Sequence, residues 1–454
     1  MAIAALLLSC SYVGTNNTFF ADTARTAINN DFQTAIIATE NSKDTIYKFK
    51  DRAMYFLDLG MLLHYNGEYE RSNAMLTKAE RAIEELYTKS ISKAALSLLL
   101  NDNSLDYAGE DYEDIYINVF KALNYIQAEE TESAFVEVRR VNEKLDFLET
   151  KYAQLSSGLN TSKDAKLKLE AGKNRFFNSA LARYLSLLLY RDSKRWDDVR
   201  IDADRFLAAW DEQDSIYNFK KPDISASLQK NDQAHLNLFC FNGLSPQKRS
   251  KTWWIRTFKD YIFIGESKES LSGEEVLNYA DMFYWKDITD NLFFKFEIPL
   301  LKQRVSRITK IEVNVDGKIH HTQKIESIDN VAAATFDVKK PIVYLKTILR
   351  TVSKGLLAKQ GKDKMDQQFN NEFLSALAGF TADVALSATE QADLRISHFF
   401  PKQAHIADIE LKAGTHHVVV NYYDKFGNII FSDDQGTVQV ATDQLNVLES
   451  ICLQ

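Results

Sequence analysis

Hydrophobic residues recur every three or four positions through most of the stretch between residues 20 and 207, as they do along one side of an α-helix. The clearest run extends from Ala53 to Leu63, and a second amphipathic run begins at Tyr69 and ends near Leu86. The dipeptide Asn66-Gly67 between the two runs is typical of a tight turn. The pattern therefore predicts two helices that pack against each other as an antiparallel hairpin.

This hairpin is similar to a tetratricopeptide repeat, which needs small residues where its two helices cross. Gly60 lies in the first run, Tyr69 opens the second, and the small residues Ser72 and Ala79 follow. Weaker copies of the pattern begin at Phe32, Thr131 and Trp196, at offsets near multiples of the 34-residue period. A generic array of helical hairpins stays an alternative. Both interpretations predict an α-solenoid-like stack.

From residue 237 onward the pattern changes to alternation, the period of a half-buried β-strand. Ile311 to Ile319 alternates strictly, and its Asp316-Gly317 pair predicts a two-residue hairpin turn. Further strands are predicted at 251–258, 292–300, 406–411, 416–423 and 428–431. Helical periodicity returns at 342–359 and 366–386.

The predicted fold class is therefore α+β. Residues 20–235 are expected to form a tetratricopeptide-like helical solenoid. Residues 236–454 are expected to form a β-sandwich-like domain with a helical insertion at about 342–386.

Composition agrees with a soluble globular chain of two or three domains. The 454 residues are 45% hydrophobic and 26% charged, and the 5 prolines and 16 glycines favour long helices. The net charge of −8 argues against nucleic acid as a partner and against a polybasic membrane patch.

The first ten residues are an uncharged apolar run that ends in Ser9-Cys10. This is typical of a bacterial lipobox, in which the leader is cut before the cysteine and lipid is attached to its sulfur. Leu8 is bulkier than usual there, and no basic residue precedes the run, so a short buried segment stays an alternative. The prediction is a signal and tether at 1–19, lipid at Cys10, and a position on the periplasmic side of the envelope. Ser11 after the cysteine favours the outer membrane.

The remaining cysteines, Cys240 and Cys452, each follow apolar residues, as buried free thiols do. Two separate core thiols are the favoured interpretation, with a disulfide in an oxidising periplasm as the alternative. No cysteine spacing indicates a metal site, and we expect no cofactor.

The acidic segment from Tyr107 to Asp114 is the strongest candidate for chemistry. Glu110 and Glu113 lie one helical turn apart at the predicted start of a helix, where acids complement the helix dipole. They are also placed to act as a carboxylate pair, or as partners of Arg139 and Arg140 on the following helix. The structural role, an acidic helix start held by arginines, is the favoured one.

The histidines argue against a catalytic centre. His320-His321 and His416-His417 are doublets in predicted strands, where neighbouring side chains point to opposite faces and cannot hold one metal ion. Neither a nucleophile elbow nor a phosphate-binding loop is present. The sequence therefore predicts a protein that is not an enzyme.

Several blocks of the chain together resemble a family of uncharacterised bacterial envelope lipoproteins. The most specific are Tyr107-Ala108-Gly109-Glu110 and Val138-Arg139-Arg140. The others are 98–102, 122–125, 243–248, 392–395 and 414–416. The resemblance implies a lipoprotein with tetratricopeptide-like helices and a β domain. It implies no established activity.

The resulting hypothesis is a lipid-anchored, non-enzymatic scaffold that binds protein partners in the cell envelope through a helical groove. Tyr69, Tyr107 and Tyr125, with Tyr55 and Tyr112, are candidate groove residues, although core packing would also explain them. The rival hypothesis is an envelope enzyme or regulator that acts on peptidoglycan or another glycan through Glu110, Glu113 and the C-terminal histidines.

Overall fold

The computed structural model describes residues 18–92, 105–159, 171–230, 233–269, 275–284, 288, 290–360 and 391–454. Helices dominate the part before residue 213, and one long helix follows later. They are α1 (18–28), α2 (Phe32–Asn41), α3 (Arg52–Tyr65), α4 (Tyr69–Ser92), α5 (Asp111–Gln127), α6 (Thr131–Leu159), α7 (Ala180–Asp192), α8 (Trp196–Glu212) and α9 (Ile328–Gln360).

The predicted hairpin is present as α3 and α4, which pack against each other across a short turn. A Cβ atom added at Gly60 would lie 2.7 Å from Cδ2 of Leu76, so any larger residue there would force the Leu76 side chain to move. Ser72 is fully buried and its hydroxyl donates to the carbonyl of Gly60 at 2.8 Å. The predicted small residues therefore do lie at the contact between the helices.

Two further pairs follow the same plan. Helix α5 packs against α6, and α7 packs against α8, each pair joined by a short connection. Helix α4 also contacts α5, and α6 contacts α7, so consecutive pairs are neighbours in space. The interior of these helices is continuous with one face of the β structure.

Twelve strands in the described residues form three four-stranded sheets. The strands are β1 (Ala234–Leu244), β2 (Gln247–Phe258), β3 (Tyr261–Glu269), β4 (Glu275–Tyr284), β5 (Phe293–Lys302), β6 (Lys310–Val315), β7 (Lys318–His321), β8 (Gln323–Ser327), β9 (Pro401–Leu411), β10 (Gly414–Tyr423), β11 (Ile429–Val440) and β12 (Asn446–Cys452). We name β12-β1-β9-β8 the central sheet, β11-β10-β6-β7 the outer sheet and β4-β3-β2-β5 the lateral sheet. All neighbouring strands are antiparallel except β1 and β12, which run parallel.

The central sheet is buried on both faces. Phe239 and Phe241 of β1 belong to the core shared with the helices, whereas Leu238 and Cys240 belong to a second core shared with the outer sheet. Because side chains alternate along a strand, β1 supplies both cores at once. The mixed α and β class agrees with the sequence prediction.

Local turn chemistry was predicted correctly at the β6–β7 hairpin. Asp316 and Gly317 have φ angles of 50° and 86°, the left-handed pair that a two-residue turn of this kind requires. Strands β6 and β7 pair on either side of it, from Val315 opposite Lys318 onward.

The long helix α9 covers the predicted helical segment 342–359 but begins earlier, at Ile328. It packs against β5, and its Ile348 lies in a core with Ile255 and Phe296 of the lateral sheet. The second predicted segment, 366–386, lies outside the described residues. The change from helices to strands falls between Glu212 and Ala234.

Cys240 and Cys452 are both buried and both free thiols. They lie in the core between the central and outer sheets. This agrees with the favoured interpretation of two core thiols. Burial raises the pKa of Cys452 to about 11, so this thiol stays protonated near neutral pH.

Candidate functional site

The acidic segment forms the start of α5 and is built as a structural joint. Glu113 is fully buried, and one of its oxygens accepts from the backbone N–H of Glu110 at 2.8 Å and from the hydroxyl of Tyr107 at 2.8 Å. Its other oxygen accepts from the backbone N–H of Ser397 at 2.6 Å. Burial first, and the charge of Glu110 second, raise the pKa of Glu113 to about 7. Glu113 therefore ties the beginning of α5 to the segment before β9.

The expected pairing of these acids with Arg139 and Arg140 is wrong. Glu110 forms ion pairs with Lys248 of β2, at 2.5 Å, and with Lys339 of α9. Arg139 is exposed, and Arg140 contacts Glu80 of α4 at 3.1 Å.

Helix α6 does contact the start of α5, but through residues further along. Lys144 reaches Asp114 at 2.8 Å and Lys151 reaches Asp111 at 2.6 Å. Lys144 follows Arg140 by one turn, and Lys151 follows Lys144 by two, so all three share one stripe of α6. Along this stripe Arg140 lies level with Glu80, one turn too early to meet the acidic segment.

The predicted tyrosines fall into two groups. Tyr55, Tyr107 and Tyr112 are buried in the helical core, and Tyr125 packs against that core while partly buried. Tyr69 lines a cavity. Cys10, the predicted site of lipid attachment, lies outside the described residues.

The C-terminal histidines pair with separate acids. His398 contacts Asp58 at 2.8 Å, and His416 contacts Asp316 at 2.6 Å. His417 contacts Asp434 at 3.1 Å. Among the described residues no group of three or more His, Cys, Asp or Glu side chains is arranged to hold a metal ion.

A cavity of about 350 Å³ lies where the α3–α4 turn meets strands β11 and β12, and we name it the junction cavity. Its polar lining includes His64, Asp433 and Glu449. Four aromatic rings also line it. They are Phe32, Tyr65, Tyr69 and Phe431.

A chain of hydrogen bonds shows that one particular ring nitrogen of His64 carries a hydrogen. Because the carbonyl of Gly60 can only accept, the hydroxyl of Ser72 donates to it, and the Ser72 oxygen then accepts from Nδ2 of Asn124 at 2.9 Å. This orientation places Oδ1 of Asn124 2.7 Å from Nδ1 of His64. An amide oxygen accepts only, so Nδ1 of His64 carries a hydrogen.

The other nitrogen of His64 faces a carboxylate. Nε2 lies 3.2 Å from Oε2 of Glu449, but the two atoms do not have the geometry of a hydrogen bond. Both side chains are almost fully buried, 1% and 4% exposed. Burial alone would lower the pKa of His64, but Glu449 and Asn124 raise it above its ordinary value. The pair attracts when a proton lies between the two atoms and repels when none does.

The protein satisfies only part of the hydrogen-bonding capacity of the two acids, Glu449 and Asp433. Oε1 of Glu449 accepts from Nε2 of Gln127 at 3.0 Å, whereas Oε2 has no hydrogen-bond partner. Oδ2 of Asp433 accepts from Ser450 at 2.6 Å and from Gln435 at 2.7 Å. Each carboxylate is therefore oriented through one oxygen.

A second cavity of about 300 Å³ contains two of the predicted histidines, His320 and His321, beside Asp408. Asp408 is already occupied, because it accepts from His235, Arg191 and Ser227 at 2.6–2.9 Å. The charge of Asp408 is thus neutralised inside the protein by Arg191 and His235.

The sequence did not indicate the junction cavity as a site, although Tyr69 was singled out. His64 and Glu449 come together from opposite ends of the chain, and no local motif links them. The available signal was a histidine within an otherwise apolar helical run, at the end of α3 and next to a turn.

Comparison with protein-family models, with curated proteins and with solved structures found no match. Of the helices in the described part of the chain, none combines the length and apolar character needed to cross a bilayer.

Proposed function

We propose that this chain is a lipid-anchored envelope protein that binds a protein partner and catalyses no reaction of its own. The observation that carries the proposal is the junction cavity, which combines four aromatic rings with a buried carboxylate oxygen, Oε2 of Glu449, that has no hydrogen-bond partner. Apolar walls with a few convergent polar groups are the usual composition of a recognition site. The lipid at Cys10 would hold the protein on the periplasmic face of the envelope, with the outer membrane favoured.

The proposal also covers the architecture of the helical part and of the β part. The successive pairs α3–α4, α5–α6 and α7–α8 support a tetratricopeptide-like solenoid, a scaffold that exposes much surface per residue. The core shared by the central and outer sheets supports a sandwich-like β domain. The junction cavity lies between these two parts, so a partner bound there would contact both.

Strand β4 offers a second contact surface. It lies at one end of the lateral sheet, and its Leu277, Tyr279, Met282 and Tyr284 are 44–59% exposed. Exposed apolar side chains gathered on an end strand are typical of surfaces that bind other proteins. This surface would supplement the cavity rather than replace it.

Site-specific photo-crosslinking in intact cells tests the proposal. Asn66 is exposed and lines the junction cavity, so a photoreactive residue there should crosslink to one defined protein. Arg200 of α8, with a side chain 70% exposed, provides the matched control position. The Asn66 product should disappear when Phe431→Ala removes an aromatic wall. Equal products from both positions, or none from Asn66, would contradict the proposal.

One observation favours a second candidate function, an envelope enzyme acting on peptidoglycan or another glycan. Two carboxylates and an imidazole line the same cavity, and acid–base catalysis uses these groups. Release of soluble fragments from purified peptidoglycan by the protein, abolished in Glu449→Gln, would favour the enzyme over the scaffold.

A further inference from the structure

The junction cavity carries negative charge that the protein does not neutralise completely. Asp433 and Glu449 both line it, and His64 is the one basic side chain among its lining residues, all of which the structure describes. The field of Glu449 extends into the cavity, since burial first and Glu449 second raise the pKa of Tyr69 to about 12. A positively charged ligand is therefore the complementary occupant.

The free acceptor atoms come from two different strands. Glu449 of β12 offers Oε2, which is buried, lies 3.2 Å from Nε2 of His64 and lacks a hydrogen-bond partner. Asp433 of β11 is only partly buried, and both of its described hydrogen bonds go to Oδ2, which leaves Oδ1 available. When His64 is neutral, its Nε2 is a third acceptor, because its hydrogen is on Nδ1.

This arrangement favours an ammonium group over a guanidinium group. A guanidinium pairs best with both oxygens of one carboxylate, in a planar fork. Here each carboxylate offers one oxygen while the other is occupied, by Gln127 at Glu449 and by Ser450 at Asp433. An ammonium has three donors that point in different directions, which suits single acceptors on separate strands.

The aromatic rings suit the rest of such a ligand. Tyr65, Tyr69, Phe32 and Phe431 can cover an alkyl chain, and aromatic faces also attract a cation. The volume of about 350 Å³ is near the lower end for small-molecule sites, and one flexible side chain fits within it.

We propose that the junction cavity binds a primary alkylammonium group, such as a lysine side chain of a partner protein, between Asp433, Glu449 and the surrounding rings. The choice of a protein lysine as its source rests on the proposed function. The ammonium chemistry itself also fits a free amine.

Calorimetric titration of the purified protein with small probes tests the inference. The probes are Nα-acetyl-lysine methylamide, its Nε-acetylated form, which has no charge, and the arginine analogue. The lysine probe should bind at least tenfold more tightly than either analogue. Asp433→Asn should weaken its binding at least tenfold, and Glu449→Gln should do the same. Asp434→Asn, on the same strand with a side chain 63% exposed, should leave binding unchanged.

A nuclear magnetic resonance readout separates binding in the cavity from binding elsewhere. The ring signals of His64 should shift on titration with the lysine probe and stay constant with the acetylated form. The inference is overturned if no probe saturates the protein, if the acetylated form binds equally well, or if a correctly folded Asp433→Asn binds like the wild type.

Two further measurements distinguish a partner protein from a free amine as the source of the ammonium group. A lysine-containing peptide that binds more tightly than n-butylammonium supports a partner protein, whereas equal or weaker binding overturns that source. Lysine binding without any crosslink from Asn66 would leave the ammonium site standing and remove the proposed protein partner. The two failures are thus distinguishable.

Discussion

Two buried carboxylates of this molecule, each in a charged cluster, differ in how completely the protein satisfies them. In the helical cluster, Oε1 of Glu80 on α4 accepts from Asn118 at 2.9 Å and lies 2.8 Å from Nζ of Lys144. Oε2 accepts from Lys121 and Arg140 at 3.0–3.1 Å. Burial alone would raise the pKa of Glu80, but Lys144 and Lys121 lower it to about 2. Every oxygen of this carboxylate is occupied by a neighbouring helix.

In the junction cavity, by contrast, a buried carboxylate has one oxygen without a hydrogen bond. Glu449 is as deeply buried as Glu80, yet Oε2 has only His64 within ion-pair distance and no hydrogen bond. Leaving a buried acceptor unsatisfied costs stability, which a protein tolerates most readily where a ligand completes the site. The helical cluster therefore links α4, α5 and α6, whereas the junction cavity retains an acceptor that the ligand proposed above would satisfy.

The largest effect is expected from breaking the helical cluster. Lys121 is 2% exposed and contacts both Glu80 and Glu137 at 3.0 Å. Lys121→Met leaves two buried carboxylates short of a cation, which should lower the free energy of unfolding by about 3–5 kcal/mol. Denaturant unfolding measures this loss. Lys78→Met, on the exposed face of α4, is the control and should change stability by less than about 0.5 kcal/mol.

Binding to the junction cavity should survive in Lys121→Met at temperatures where the variant is folded. A stability loss below about 1 kcal/mol would show that the helical cluster is not the structural element described above.

A second test concerns a buried carboxylate with neutral partners. Glu326 accepts from the hydroxyls of Ser179 and Tyr217 and from the backbone N–H of Leu181 at 2.8–3.1 Å. Burial raises its pKa from 4.5 to about 7, in contrast to that of Glu80. The folded state thus holds the proton more tightly than the unfolded state. The stability contributed by this proton is complete below about pH 4.5 and is lost as pH rises to about 7.

The free energy of unfolding should therefore fall between pH 5 and pH 8, by up to a few kcal/mol from Glu326. Glu113 and His64, whose pKa values are also raised, act in the same direction. Glu326→Gln cannot ionise and should lose less stability over this range than the wild type. Parallel pH profiles of the two proteins would contradict the assignment. The lowered pKa of Glu80 makes stability rise with pH instead, but this change takes place below about pH 4.5.

Sequence patterns predicted a structural feature correctly where the residues that determine it are close together in the chain. The α3–α4 hairpin follows from the period of its apolar residues and from Gly60 and Ser72, and the β6–β7 turn follows from Asp316-Gly317. Each of these features depends on residues close together in the chain, so one segment contains all the necessary information.

The junction cavity required information that no single segment contains. His64, Asp433 and Glu449 meet only after β11 and β12 are placed beside the turn after α3. The same lack of long-range information explains why the sequence analysis predicted the wrong partners for Glu110. Its lysines come from β2 and α9, far from α6 in the sequence, and helical periodicity gives no register between separate elements.

The smallest expected effects come from the two arginines that the sequence analysis placed at the acidic segment. Arg140 is 45% exposed and is one of several cationic partners of Glu80. Arg140→Ala leaves Lys121 and Lys144 in place, and solvent screens the lost contact, so the free energy of unfolding should fall by less than about 1 kcal/mol. Arg139→Ala, also exposed, should have no measurable effect in the same denaturant experiment. A loss above about 2 kcal/mol for Arg140→Ala would mean that Glu80 depends on this arginine. The helical cluster would then be less completely satisfied than the comparison with the junction cavity requires.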